Sequence, residues 1–262
     1  MPTPTLSINE IGANLREAGR LRTRPLCVYG SKTIPDETKS STSISRCVAQ
    51  AIATVAFRDN TPAIYVTAEM PETCCPGGLA HFGFTRFNPG IKYFVSTGSK
   101  DYRDGAAEFL RASPELFDEC QRMIGTITPL NKYIVIQACA DITSADPGVR
   151  SVLCFGNAEQ IRNLISLIQF RSLDPFHNTL APQGAACASF VSYAAGMVEK
   201  FAPDVSVVGP TDPTGNRWFP QDYLSLAIPI KIARRMAEDL ENSFIMKRPA
   251  VAYPEQRLGL QS

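Results

Sequence analysis

The sequence predicts an α/β or α+β fold: a mixed sheet with helices packed on it, in a single domain over residues 1–244, followed by a tail, 245–262. Three observations predict it. Short runs rich in β-branched residues recur between amphipathic stretches of helical period. Their alternation is too irregular for a doubly wound parallel sheet. Of the 262 residues, 44% are hydrophobic and 19% charged, which is ample for one core, and no linker-like or low-complexity stretch divides the chain.

The elements follow in order. Leu6, Ile8, Ile11 and Leu15 recur among charged residues and predict a helix over 6–20. RPLCVYG (24–30) reads as a short buried strand, and SKTIPDETKSST as the polar loop after it. Over 43–57, Ile44, Val48, Ala51, Ile52 and Val55 mark one helix face, with Ser41, Thr42 or Ser43 available as N-cap. PAIYVTAE (62–69) is a strand by its β-branched content. In CCPGGLAHFGF (74–84), Pro76 suits the first position of a short helix. KYFVSTG (92–98) is a further strand, and 101–124 is helical with Pro114 opening a second segment. KYIVIQACA (132–140) and GVRSVLCFGN (148–157) are strands, and Ile161, Leu164, Ile165 and Ile168 make 158–170 an amphipathic helix. GAACASFVSYAAGMVEKF (184–201) reads as a buried helix of small residues. VSVVGP (205–210) and LSLAIPI (224–230) are strands, KIARRMAEDLENSF (231–244) is the closing helix, and the tail RPAVAYPEQRLGLQS is extended.

Composition narrows function mostly by exclusion. With 26 Lys+Arg against 25 Asp+Glu there is no basic surplus to hold nucleic acid. No apolar run reaches the ~18 residues of a membrane span, and the N-terminus has no apolar signal core, so a cytoplasmic protein is expected. Eight Cys in a chain of this length fall well below the density of a disulfide scaffold, and two His leave little room for histidine-based metal sites or a Ser-His-Asp triad. Chemistry, if any, points to thiolates.

Cys75 precedes Pro76 and the pair Gly77 and Gly78. A cysteine just before a helix start meets unpaired N–H groups and the positive dipole end, which favour the thiolate. The glycines let a ligand approach the backbone. The plainer alternative is a tight turn beside an inert thiol, and Cys74 doubles the thiols there. Cys187, in GAACASF, could likewise sit at a helix start or be a buried packing residue, and Cys47 lies one position off the apolar stripe of 43–57. Cys27, Cys139 and Cys154 fall in apolar strands and read as core, and Cys120 lies on a charged helix. There is no CxxC, so no sequence-local zinc knuckle or ferredoxin motif. In the loop GPTDPTGNRWF (209–219), Arg217 could grip an anion beside Asn216, or decorate a solvated turn. Gly156 and Asn157 end a strand and lead into a helix, a place where α/β folds bind ligands, though the glycine-rich fingerprint is missing. His81 and His177 read as structural.

Five segments together resemble the family known as domain of unknown function 169 (DUF169), found in anaerobic archaea and bacteria. They are RCVAQAI, VTAEMPETCCPGGLAHFGF, VLCFGNAEQIRNLISL, GAACASFVSYAAG and GNRWFPQDYLSLAIPIKIARRMAEDL, in the family's order over 43–243. The resemblance implies one Cys in the first helix, one before a glycine pair and one in the later helix, which map onto Cys47, Cys75 and Cys187, and a G-x-R turn at Gly215, Asn216 and Arg217. The extra Cys74 and a longer polar segment before Cys47 depart from that pattern. Three grouped thiols suit a [4Fe–4S] cluster with one open iron. The expectation is therefore a cytoplasmic cysteine-ligated iron–sulfur, or other metal-thiolate, protein of anaerobic metabolism. Cys47, Cys75 and Cys187 would be the ligands. Arg217, Asn216, Asn157, Gly77 and Gly78 would bind a small anionic substrate, in a possible homo-oligomer. Two alternatives stay open. One is a non-catalytic ligand-binding or accessory protein with structural thiols. The other is a metal-free thiol enzyme using Cys75, for which His81, six residues on, does not share a helix face.

Overall fold

The computed structural model describes residues 6–70, 74–143, 145–213 and 220–255. Its strands are β1 Leu26–Ser31, β2 Lys39–Ser40, β3 Ile64–Thr67, β4 Tyr133–Ala138, β5 Val149–Asn157, β6 Thr179–Leu180, β7 Ser206–Gly209 and β8 Tyr223–Pro229. They join in one sheet ordered β2-β3-β4-β1-β5-β8-β7-β6. Pairing is antiparallel through the centre, while the two-residue edge strands β2 and β6 run parallel to β3 and β7. The expected mixed sheet is present, and the fold is α+β. The helices are α1 Ile8–Gly19, α2 Val48–Phe57, α3 Pro76–His81, α4 Ile91–Phe94, α5 Pro114–Ile124, α6 Ala158–Gln169, α7 Ile230–Asp239, α8 Phe244–Lys247 and α9 Pro249–Ala252.

Period-two alternation divides the strands between two cores. Leu26, Val28, Ile134, Ile136, Leu153, Phe155 and Ala227 face α2, α3 and the segment around Phe190. Cys27, Tyr29, Val135, Val152, Cys154, Leu226 and Ile228 face α1, α6 and α7. The central strands are therefore apolar on both sides, which is why they read as continuous apolar runs rather than alternating ones.

Local chemistry sets the helix starts. Ser7 and Glu10 form a capping box on α1. Asn157 and Gln160 form another on α6, with reciprocal hydrogen bonds of 2.9 and 3.0 Å. A Cβ on Gly156 would come within 2.9 Å of Gln160 Oε1, so glycine there makes room for the box. The FGN motif is thus a helix-capping device in this chain.

Several expected elements differ. The helix expected over 43–57 begins only at Val48. Ser41–Ser43 form a separate 3-10 turn, and the N-cap is Cys47, not a serine. Ser45 redirects the chain there, its Oγ accepting from Cys47 N–H at 3.1 Å. Residues 92–98 are not a strand. Ile91–Phe94 form a helical turn that Asn88 opens, its Oδ1 accepting from Gly90 N–H, and the Phe94 and Val95 carbonyls accept from Glu108 and Arg111 N–H. Of 101–124 only Pro114–Ile124 is α-helical, capped by Ser113. The long helix expected over 184–201 shrinks to a π-helical turn at Ala188–Ser192. There Ser192 Oγ donates to His81 O and Tyr193 OH to Gln183 O, ties that fold the segment back on itself. The tail is not extended where it is described. Its first half forms α8 and α9, with Ile245 and Ala252 buried, Asn163 Nδ2 donating to Ala252 O at 2.8 Å, and Tyr253 OH to Ala18 O at 2.8 Å.

Candidate functional site

Two helix starts and one π-turn meet on the α2 face of the sheet. Cys47 is the N-cap of α2 and Cys75 the N-cap of α3, where Pro76 takes the first helical position. A backbone bond from Cys75 N–H to Arg46 O, at 2.8 Å, ties the two starts together. Cys187 immediately precedes the π-helical turn; such irregular turns are frequent at functional sites. All three cysteines line one cavity of about 350 Å³, together with Gly77, Gly78 and His81. Residues more than 100 positions apart in sequence are therefore brought to one place.

Neither N-cap cysteine makes a close cap hydrogen bond. The free N–H groups of the first turn of α2 act instead on three different sulfurs: Val48 on Cys75, Ala49 on Cys187 and Gln50 on Cys47. Gly78 N–H adds to Cys75. Its missing side chain leaves the space, since a Cβ there would lie 2.9 Å from Cys75 Sγ and 2.9 Å from Val48 Cγ2. The Cys47 and Cys74 thiols donate toward Cys75, which holds the Cys75 thiol far below its usual range and pushes those of Cys47 and Cys74 up. Burial raises Cys187. The four sulfurs thus favour one thiolate, on Cys75, flanked by protonated neighbours.

Cys74 and Cys75 do face different ways. Cys75 opens on the cavity, whereas Cys74 is 1% exposed and packs in the core behind it. Cys120 lines a neighbouring hollow beside Tyr193. Cys27, Cys139 and Cys154 are fully buried on the opposite side of the sheet. All eight cysteines are free thiols. Among the described residues, no three or more His, Cys, Asp or Glu side chains already stand at metal-binding spacing.

His81 ends α3 and lines the cavity. Cys75, the N-cap of the same six-residue helix, lines that cavity too. Burial pushes the imidazole down to about 4, partly countered by Cys75 and Asp212, so the ring is neutral at physiological pH. Phe87 meets it edge-on at 4.9 Å between centroids. Asn157 does not join this group: its side chain caps α6 and borders a separate hollow with Arg20, Tyr223 and Tyr253. Asn216 and Arg217 lie outside the described residues. Two arginines that sequence reading passed over, Arg103 and Arg111, line the cavity. No motif marks them, because they come from the irregular segment between α4 and α5.

A family model, DUF169, described as uncharacterised ArCR, matches residues 14–239, and the chain belongs to that family. No curated protein and no solved structure matches it. No helix among the described residues is long and apolar enough to cross a membrane.

Proposed function

We propose that Cys47, Cys75 and Cys187 ligate an iron–sulfur cluster, or another soft metal centre, beside a cavity that admits a small anionic substrate. The observation that carries this reading is the meeting of three sulfurs at one cavity, each addressed by a different N–H of the first turn of α2. The donor set fits in kind and number: three soft thiol sulfurs, with N–H groups that stabilise sulfur-borne negative charge. Among the described residues the three do not stand at metal-binding spacing, so loading requires rotation of cysteine side chains between staggered rotamers. A bound [4Fe–4S] cluster with three cysteine ligands supplies either a Lewis-acidic iron or an electron. The chain's own groups do the rest. Gly77 and Gly78 keep the floor open, neutral His81 can accept or release a proton at its ring nitrogen, and the aromatic walls exclude water. Eight unpaired cysteines suit a reducing, cytoplasmic setting, and a homo-oligomer belongs to the same reading.

The test is purification without oxygen, followed by iron, sulfide and visible absorption measurements. Stoichiometric iron and sulfide, lost in Cys47→Ser, Cys75→Ser and Cys187→Ser but kept in Cys120→Ser, support it. A colourless, iron-free preparation that cannot be reconstituted overturns it. The absence of preset metal spacing favours a second reading, a ligand-binding protein with packing thiols. Under that reading Cys187→Ala leaves ligand binding intact.

A further inference from the structure

We propose that the cavity beside Cys75 takes a small carboxylic acid with an apolar, ring-sized body, its carboxylate gripped by Arg111 and Arg103. This rests on reading the cavity as the substrate space of the thiolate site, and it names the class of substrate. Four charged side chains other than the cysteines and His81 line the cavity: Arg103, Arg111, Glu108 and Asp212. The two acids are each already engaged with another group. Among the described residues neither guanidinium has a carboxylate partner. Arg111 Nε is enclosed and has no hydrogen-bond partner among the described residues. Arg103 lies over the Phe94 ring, 4.1 Å from its centroid, on a backbone held in the left-handed region at φ 50°. Arg111 is half-buried and Arg103 exposed, so both guanidiniums can be reached by a ligand in the cavity, and their planar fork matches a carboxylate.

The remaining wall chooses the body. Phe87 and Phe117 meet edge to face at 6.4 Å, extending the contact of Phe87 with His81 into an aromatic slot. At about 350 Å³ the cavity lies at the small end of the ~300–1,000 Å³ typical of ligand sites, which suits a one-ring acid and not a nucleotide or a peptide.

The experiment is calorimetric titration of the protein purified without oxygen, with iron and sulfide measured on the same sample. The probes are 3-phenylpropionate, its amide and acetate. The expected result is saturable binding of the acid, with the amide and acetate at least tenfold weaker. Arg111→Met should abolish the preference for acid over amide while amide binding persists, and Arg103→Met should reduce it. If Arg111→Met does not fold, Arg103→Met decides alone. Equal binding of acid and amide by the unaltered chain, or no saturable binding of the acid, overturns the proposal. An iron-free sample that still selects the acid would sink the metal reading and leave this one standing; an iron-loaded sample without selectivity would do the reverse.

Discussion

Gly77 and Gly78 are neighbours in α3, yet adding one methyl group to each should have opposite effects. A Cβ on Gly77 meets nothing within 4 Å, while one on Gly78 would press on Cys75 Sγ and Val48 Cγ2, both at 2.9 Å. Alanine in place of a helical glycine gains ~0.5–1 kcal/mol at either position. At Gly78 an overpacking cost of ~1–3 kcal/mol is set against that gain, leaving a net loss of about 1 kcal/mol. In a chain of this length 1 kcal/mol moves the melting temperature by about 2 °C. Gly77→Ala should therefore melt ~1–2 °C above the parent and Gly78→Ala ~2 °C below it, as read by scanning calorimetry under reducing conditions. Shifts of equal sign and size, or Gly78→Ala the more stable, would refute the packing argument around Cys75.

Three further outcomes are expected. Brief native alkylation, mapped by mass spectrometry, should modify Cys75 before Cys47 and before half-buried Cys120, and Cys27, Cys139 and Cys154 last; Cys120 ahead of Cys75 would contradict the thiolate assignment. His81 is held at about 4 in the folded chain against 6.5 when exposed, so the unfolded chain takes up the proton first. Its contribution is complete above pH 6.5 and is lost as the pH falls toward 4, and His81→Gln should flatten melting temperature against pH across that window. Ending the chain at Arg248 removes Ala252 O from buried Asn163 and Tyr253 from Ala18, which should cost ~2–4 kcal/mol. An unchanged denaturation midpoint would show that α9 does not seal the core.

Elements whose own residues settle their conformation were legible in the sequence. The Leu6–Leu15 stripe, the apolar runs at 132–140 and 148–157 and the Ile161–Ile168 stripe all fall where periodicity places them. Elements settled by distant partners were not. The run at 92–98 has strand composition but forms a helical turn whose Phe94 and Val95 carbonyls accept from the distant Glu108 and Arg111 N–H groups, and 184–201 has helix composition but is turned by bonds to His81 and Gln183. The site follows the same division. Cys47, Cys75 and Cys187 could be picked out one by one, and Pro76 signalled a helix start. That their sulfurs meet depends on the bond from Cys75 to Arg46 and on the π-turn, neither of which leaves a local pattern. Arg103 and Arg111 were invisible for a different reason: they reach the cavity from the irregular segment between α4 and α5, which carries no motif.

Because one turn of α2 serves all three sulfurs, the cysteines do not have separate environments. A substitution elsewhere that rolls or slides that helix by a few tenths of an ångström would detune the whole set at once. Single-cysteine replacements will therefore not add. Removing Cys187 frees the Ala49 N–H and shifts what remains for Cys47 and Cys75, so the strength of any one sulfur can be read only from double-mutant cycles. The unit on which sequence drift can act here is the helix end itself.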